Sequence, residues 1–126
     1  MAKTSQLLVL FLLVVLAAGC SSINNLTPSH EVQNPTGIYP FEVEWLSRQQ
    51  ALRPESIKAY VEIDLDSYPM QRTALLSNRW ETLVPIPADK KHVTYHYKFD
   101  YEYNSIPRPR PDSLLSPPYQ LTIMTP

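Results

Sequence analysis

Three side chains in the stretch HVTYHYKFDYEYN, from His92 to Asn104, are spaced as metal ligands are on a helix: His92, His96 and Asp100 recur at every fourth position. On a helix that spacing would aim both imidazoles at one ion. The same stretch argues against a helix. Val93, Tyr95, Tyr97, Phe99, Tyr101 and Tyr103 occupy every second position, with polar residues between them, and a period of two belongs to a strand. On a strand, at roughly 3.3 Å per residue, His92 and His96 stand about 13 Å apart, so one ion cannot take both. The expectation is a solvated polar face, with no metal and no cofactor.

Nucleophilic and phosphate chemistry fare no better. Serine, histidine and aspartate all occur, but no Gly-x-Ser-x-Gly elbow is present. Gly19 and Gly37 are the only glycines, so a glycine-rich phosphate cradle cannot be built. Asp64 and Asp66 lie close together near a strand end, where carboxylates are common. The chain is expected not to be an enzyme.

Two binding chemistries remain. A wet row of coplanar rings can stack on sugars, and Tyr101 and Tyr103, at the end of the aromatic row, are the candidates for a glycan platform. The rest of that row, Val93 to Phe99, reads as core, because its other face carries His92, Thr94, His96, Lys98 and Asp100. Burying an aromatic ring stabilises by roughly 1.5–3 kcal/mol, and no disulfide is available to substitute for it. The second candidate is the pair Arg108 and Arg110, which alternates with Pro107, Pro109 and Pro111. Proline presets an extended backbone, and guanidinium pairs well with planar carboxylates. These two arginines are the expected contacts to a partner protein.

The strongest single signal is N-terminal. MAKTSQLLVLFLLVVLAAGCSS has one early positive charge, Lys3, and an uncharged apolar run from Leu7 to Ala18. That is the layout of a secretory signal peptide, and the run is shorter than the about 20 apolar residues a spanning helix needs. The segment LAAGC, Leu16 to Cys20, resembles the lipobox of bacterial prolipoproteins. The commonest lipobox has leucine where Ala17 stands, and alanine is tolerated there. The resemblance implies cleavage before Cys20 and acylation of its thiol, hence a lipid bilayer as the first partner. Ser21, in place of an aspartate, implies the outer membrane. Cys20 is the only cysteine. It has no disulfide partner within the chain, and acylation accounts for it.

Residues 1–19 are thus expected to be a lipoprotein signal peptide, 20–35 a flexible lipid-anchored tether, and 36–126 one domain. Without residues 1–19 the 126-residue chain keeps 107 residues, with 10 basic and 12 acidic side chains once Lys3 is removed. That suits one small domain and offers no basic patch for nucleic acid. The tether, SSINNLTPSHEVQNPT, is polar and proline-containing, and its last part is a candidate first strand of the sheet. From Ile38 onward the chain alternates. FEVEW, SIKAYVEIDLD, RWETLVPIP and YQLTIMT each put apolar residues on one face. LSRQQALRPES is expected to hold one helical turn ended by Pro54. IPRPRPDSLLSPPY, with five prolines, is expected to stay outside any ladder.

These elements predict an all-β fold: a single antiparallel sandwich of six or seven strands, with Trp45, Val61, Trp80, Tyr97 and Leu121 inside. The tryptophan of FEVEW and the tyrosine-rich VTYHYKFDY resemble immunoglobulin-like and fibronectin-III-like modules of bacterial surface proteins, over residues 36–125. The resemblance implies a non-catalytic envelope module that binds a protein or gives structural support. A glycan-binding module is the alternative.

Overall fold

The computed structural model describes residues 21–126. Residues 1–20, with the expected signal peptide and Cys20, lie outside the described residues. Ten strands are present: β1 (Ser21–Asn25), β2 (His30–Val32), β3 (Ile38–Ser47), β4 (Lys58–Ile63), β5 (Asp66–Pro69), β6 (Gln71–Arg72), β7 (Arg79–Pro85), β8 (His92–Tyr103), β9 (Arg110–Leu115) and β10 (Tyr119–Met124). One sheet has the order β1-β3-β7-β6. The other runs β2-β10-β8-β4-β5, with β9 also paired to β8. The sheets meet through their rings. Phe41 of β3 sets its edge on Tyr95 of β8 at 4.9 Å, and Phe99 of β8 packs on Trp45 at 4.8 Å and Trp80 at 5.5 Å.

The alternation in the sequence explains the packing. Tyr39, Phe41, Val43 and Trp45 point inward from β3, and Val93, Tyr95, Tyr97 and Phe99 from β8. All five residues expected inside are buried. The fold is an all-β, sandwich-like pair of sheets, as expected, but three details differ.

The first correction concerns residues 20–35. Ser21–Asn25 is not a tether: it pairs antiparallel with β3, Ser21 opposite Ser47 and Asn25 opposite Val43. His30–Val32 then pairs with β10 in the other sheet, and that pair is parallel, so the fold is not wholly antiparallel. A polar segment orders here because its backbone completes two existing edges, which requires little apolar burial of its own.

The second correction concerns the proline loop. Arg110–Leu115 joins the ladder of β8, with Pro111 opposite Glu102. The Ser116 N–H bonds to the Tyr97 carbonyl at 2.9 Å. Alternation along the strand therefore turns the ring nitrogen of Pro111 outward, where a missing N–H costs no ladder bond. After Ser116 the register slips. Leu115 opposes Lys98, but Tyr119 opposes Tyr95, so one extra residue is accommodated at Ser116–Pro118 as a bulge between β9 and β10. These added short strands raise the count from six or seven to ten.

The third concerns Pro54. It does not end a helical turn but begins one, a 3-10 turn at Pro54–Ser56, where its fixed φ and absent N–H are harmless.

Strand directions sort the loops into two groups. Residues 48–57, 73–78 and 104–109 lie at the end where Ser21 begins, since Ser21 pairs with Ser47, Trp45 N–H bonds to the Asn78 carbonyl, and Leu52 bridges Tyr103. This is the proximal end. Residues 33–37, 64–65 and 86–91 form the distal end.

Candidate functional site

The chain changes sheets between β1 and β2, and the crossing is built from side chains that reach deep into the sandwich. Asn25 is two residues from Thr27, and its Oδ1 accepts the Thr27 N–H at 3.1 Å, the local turn that Asn favours. Asn25 Nδ2 donates to the Tyr95 hydroxyl at 2.8 Å, and the Tyr97 hydroxyl donates to Asn25 Oδ1 at 2.6 Å. Thr27 Oγ1 stands 2.8 Å from the Tyr97 hydroxyl and accepts the Glu42 N–H at 2.9 Å. Burial raises the Tyr97 hydroxyl far above its ordinary pKa, against the bond from Thr27. Burial likewise raises that of Tyr95, partly offset by Asn25. These tyrosines are neutral structural groups, Tyr97 donating to Asn25 and Tyr95 accepting from it. They are not available as acids at ordinary pH.

The proximal end is built differently. The β8–β9 connection places Arg108 in its loop and Arg110 on the first residue of β9, opposite Tyr103. Both arginines are exposed. Arg48 follows the last residue of β3 and is exposed as well. Among the described residues none of these three takes part in an ion pair, whereas Arg53 bridges Glu55 at 3.1 Å and Glu102 at 3.5 Å. Arg72 lies over the Trp80 ring at 5.1 Å and donates to the Pro54 carbonyl at 2.8 Å. Two aliphatic side chains at this end stand in water, Leu75 at 105% and Ile106 at 93% exposure. Leu75 also has a left-handed backbone, φ 66°.

Beside these loops, an open trough of about 660 Å³ runs over the outer face of β4, β8 and β9. Its floor is charged and largely self-paired: Lys98 approaches Asp100 at 3.8 Å, and Ser113 donates to Asp100 at 2.7 Å. The trough suits polar groups and has no enclosed apolar floor.

The sequence-predicted residues are thus dispersed. Arg108 and Arg110 share the proximal end. Tyr101 is half-buried, its ring 5.2 Å from Trp45, and its hydroxyl donates to Asp112 at 3.2 Å. Burial, and then the Asp112 carboxylate, raises its pKa. Tyr103 is half-buried where β8 meets Leu52. His92 and His96 lie on the outer face of β8 with different neighbours, Thr122 at 3.5 Å and Glu62 at 3.9 Å. Among the described residues no three His, Cys, Asp or Glu side chains converge as a metal site, and no helix is long and apolar enough to cross a membrane. Cys20 lies outside the described residues. Leu75 is a residue that the sequence analysis did not single out, because nothing in TALLSN marks it as a loop tip with a left-handed backbone.

No protein-family model and no curated protein matches this chain.

Proposed function

We propose that this protein is an envelope lipoprotein, held at the outer membrane by an acylated Cys20, whose sandwich is a non-catalytic protein-interaction or structural module. The observation that carries this reading is the junction itself. Cys20 closes the lipobox-like LAAGC, and the very next residue, Ser21, opens a strand paired with β3. An anchor fused to a sheet, with no linker, holds the module at a fixed place on a membrane.

The strand order supports an immunoglobulin-like arrangement. A first strand divides between the sheets as β1 and β2, and a last strand is broken by a bulge into β9 and β10. The surface left for a partner protein is the outer face of β3 and β7. Ile38 opposes Pro85 and Pro40 opposes Leu83 in register. All four are exposed, with Leu83 at 67%. Contiguous apolar side chains on a wet face mark contact surfaces. The glycan alternative has no comparable support, because the rings of the aromatic row from Tyr95 to Phe99 are buried and Tyr101 leans on Trp45.

The test is made in cells with a fatty-acid probe, followed by capture from membranes. Wild type incorporates the probe and Cys20→Ala does not. Leu83→Asp keeps the label but recovers less of whatever protein the wild type retains. Equal labelling of wild type and Cys20→Ala would end the lipoprotein reading, and unchanged recovery with Leu83→Asp would remove the β3–β7 face from it.

A further inference from the structure

We propose that the proximal end of the sandwich docks on the bilayer surface, with Leu75 and Ile106 entering the headgroup region and Arg48, Arg108 and Arg110 meeting anionic phospholipid headgroups. The proposal rests on the acylation of Cys20 and adds an orientation to it.

The first argument is reach. One residue spans at most about 3.6 Å, and Ser21 is already fixed opposite Ser47. Acyl chains on Cys20 would therefore hold the loops at residues 48–57, 73–78 and 104–109 closest to the lipid. The expected flexible tether would have let this end turn away. A paired β1 does not.

The second argument is chemistry. Leu75 and Ile106 are fully or nearly fully exposed at loop tips, and no packing within the fold accounts for either. Leu75 is moreover held at φ 66°, a conformation glycine or asparagine would adopt with less strain. Aliphatic tips flanked by arginines are what an interfacial surface needs: apolar groups to insert, and cations to meet phosphate. Glu55 and Glu102 pair with Arg53, and Asp112, two residues from Arg110, accepts the Tyr101 hydroxyl, while Arg48, Arg108 and Arg110 take part in no ion pair among the described residues.

The distal end supplies the contrast. Leu65 is equally exposed, at 103%, but it stands alone between Asp64 and Asp66. Asp64 is paired with Lys90, and the hairpin itself carries no cation that could meet an anionic headgroup.

The test uses the acylated full chain carrying a single thiol-reactive fluorophore at Ser77→Cys or Asn104→Cys, or at Ala88→Cys as the distal control. Acylation of Cys20, read by mass spectrometry, leaves the introduced cysteine as the only free thiol. The chain is reconstituted into protein-free vesicles of phosphatidylethanolamine and phosphatidylglycerol containing a quencher lipid. The labels at 77 and 104 lose emission and the label at 88 keeps it. Arg48→Glu, Arg108→Glu and Arg110→Glu together reduce the loss at 104 to that seen in phosphatidylcholine vesicles. An acylated chain whose three labels all stay bright overturns the docking alone. Quenching that appears only when native membrane proteins are reconstituted into the same vesicles overturns it too, and assigns this end to a protein. An unacylated Cys20 overturns both the lipoprotein reading and the docking that rests on it.

Discussion

The sheet crossing at Asn25–Thr27 and the proximal end treat their polar and apolar groups in opposite ways. At the crossing, two buried tyrosine hydroxyls, an amide and a threonine hydroxyl satisfy one another and the backbone of Glu42. At the proximal end, aliphatic tips face water and three arginines take part in no ion pair among the described residues. Internal satisfaction indicates that a region serves the fold. Groups left unsatisfied by their own fold indicate a surface shaped for something outside it.

The largest test of that contrast is Tyr97→Phe. The change keeps the ring in the core and removes one hydroxyl. Asn25 Oδ1 keeps the Thr27 N–H and Thr27 Oγ1 keeps the Glu42 N–H, so the change removes hydrogen bonds without orphaning either atom, at about 0.5–1.5 kcal/mol for each bond lost. Urea unfolding should show that loss in the midpoint with little change in slope. A loss below about 0.5 kcal/mol, the size of an ordinary surface change, would mean that the crossing is no more than a surface turn.

The same hydroxyl sets a pH dependence. Burial raises the pKa of Tyr97, and of Tyr95, above the ordinary value of 10.0. Below pH 10 both are neutral in the folded and the unfolded chain, and stability does not depend on them. Above it the unfolded chain releases these protons while the folded chain retains them, so stability falls as pH rises. Tyr97→Phe should make that fall shallower. An alkaline profile parallel to wild type would show that the hydroxyl is not sealed.

How much of this was legible in the sequence follows from what each segment is made of. β3, β4, β7, β8 and β10 announce themselves, because each alternates apolar and polar residues and buries one face. β1 does not. SSINN is almost wholly polar, and it is ordered by its backbone and by Asn25 reaching Tyr95 and Tyr97, contacts 70 and 72 residues away in sequence. The one local sign was the pair Asn25 and Thr27, two apart, which favours an Asx turn. β9 was hidden by its proline, since the ban on proline in ladders does not apply where the missing N–H faces outward. At the proximal end, alternation with proline picked out Arg108 and Arg110, but their position beside Ser21 depends on the pairing of β1. Leu75 needed both its backbone angle and its surroundings to be known.

Leu75→Asn gives the smallest effect and separates the two regions most cleanly. A leucine at φ 66° and full exposure contributes no burial, and its left-handed backbone costs roughly 1–2 kcal/mol. Asparagine tolerates that conformation, so stability should stay unchanged or rise by up to about 1 kcal/mol. On vesicles the direction reverses. The variant removes an aliphatic tip from the proposed docking surface, and the label at Asn104→Cys should recover part of its emission. A gain in stability beside a loss of membrane contact is the pattern expected of a residue retained for function against the interest of the fold. A clear loss of stability would show instead that Leu75 packs on the sandwich, and the proximal end would then differ from the crossing only in degree.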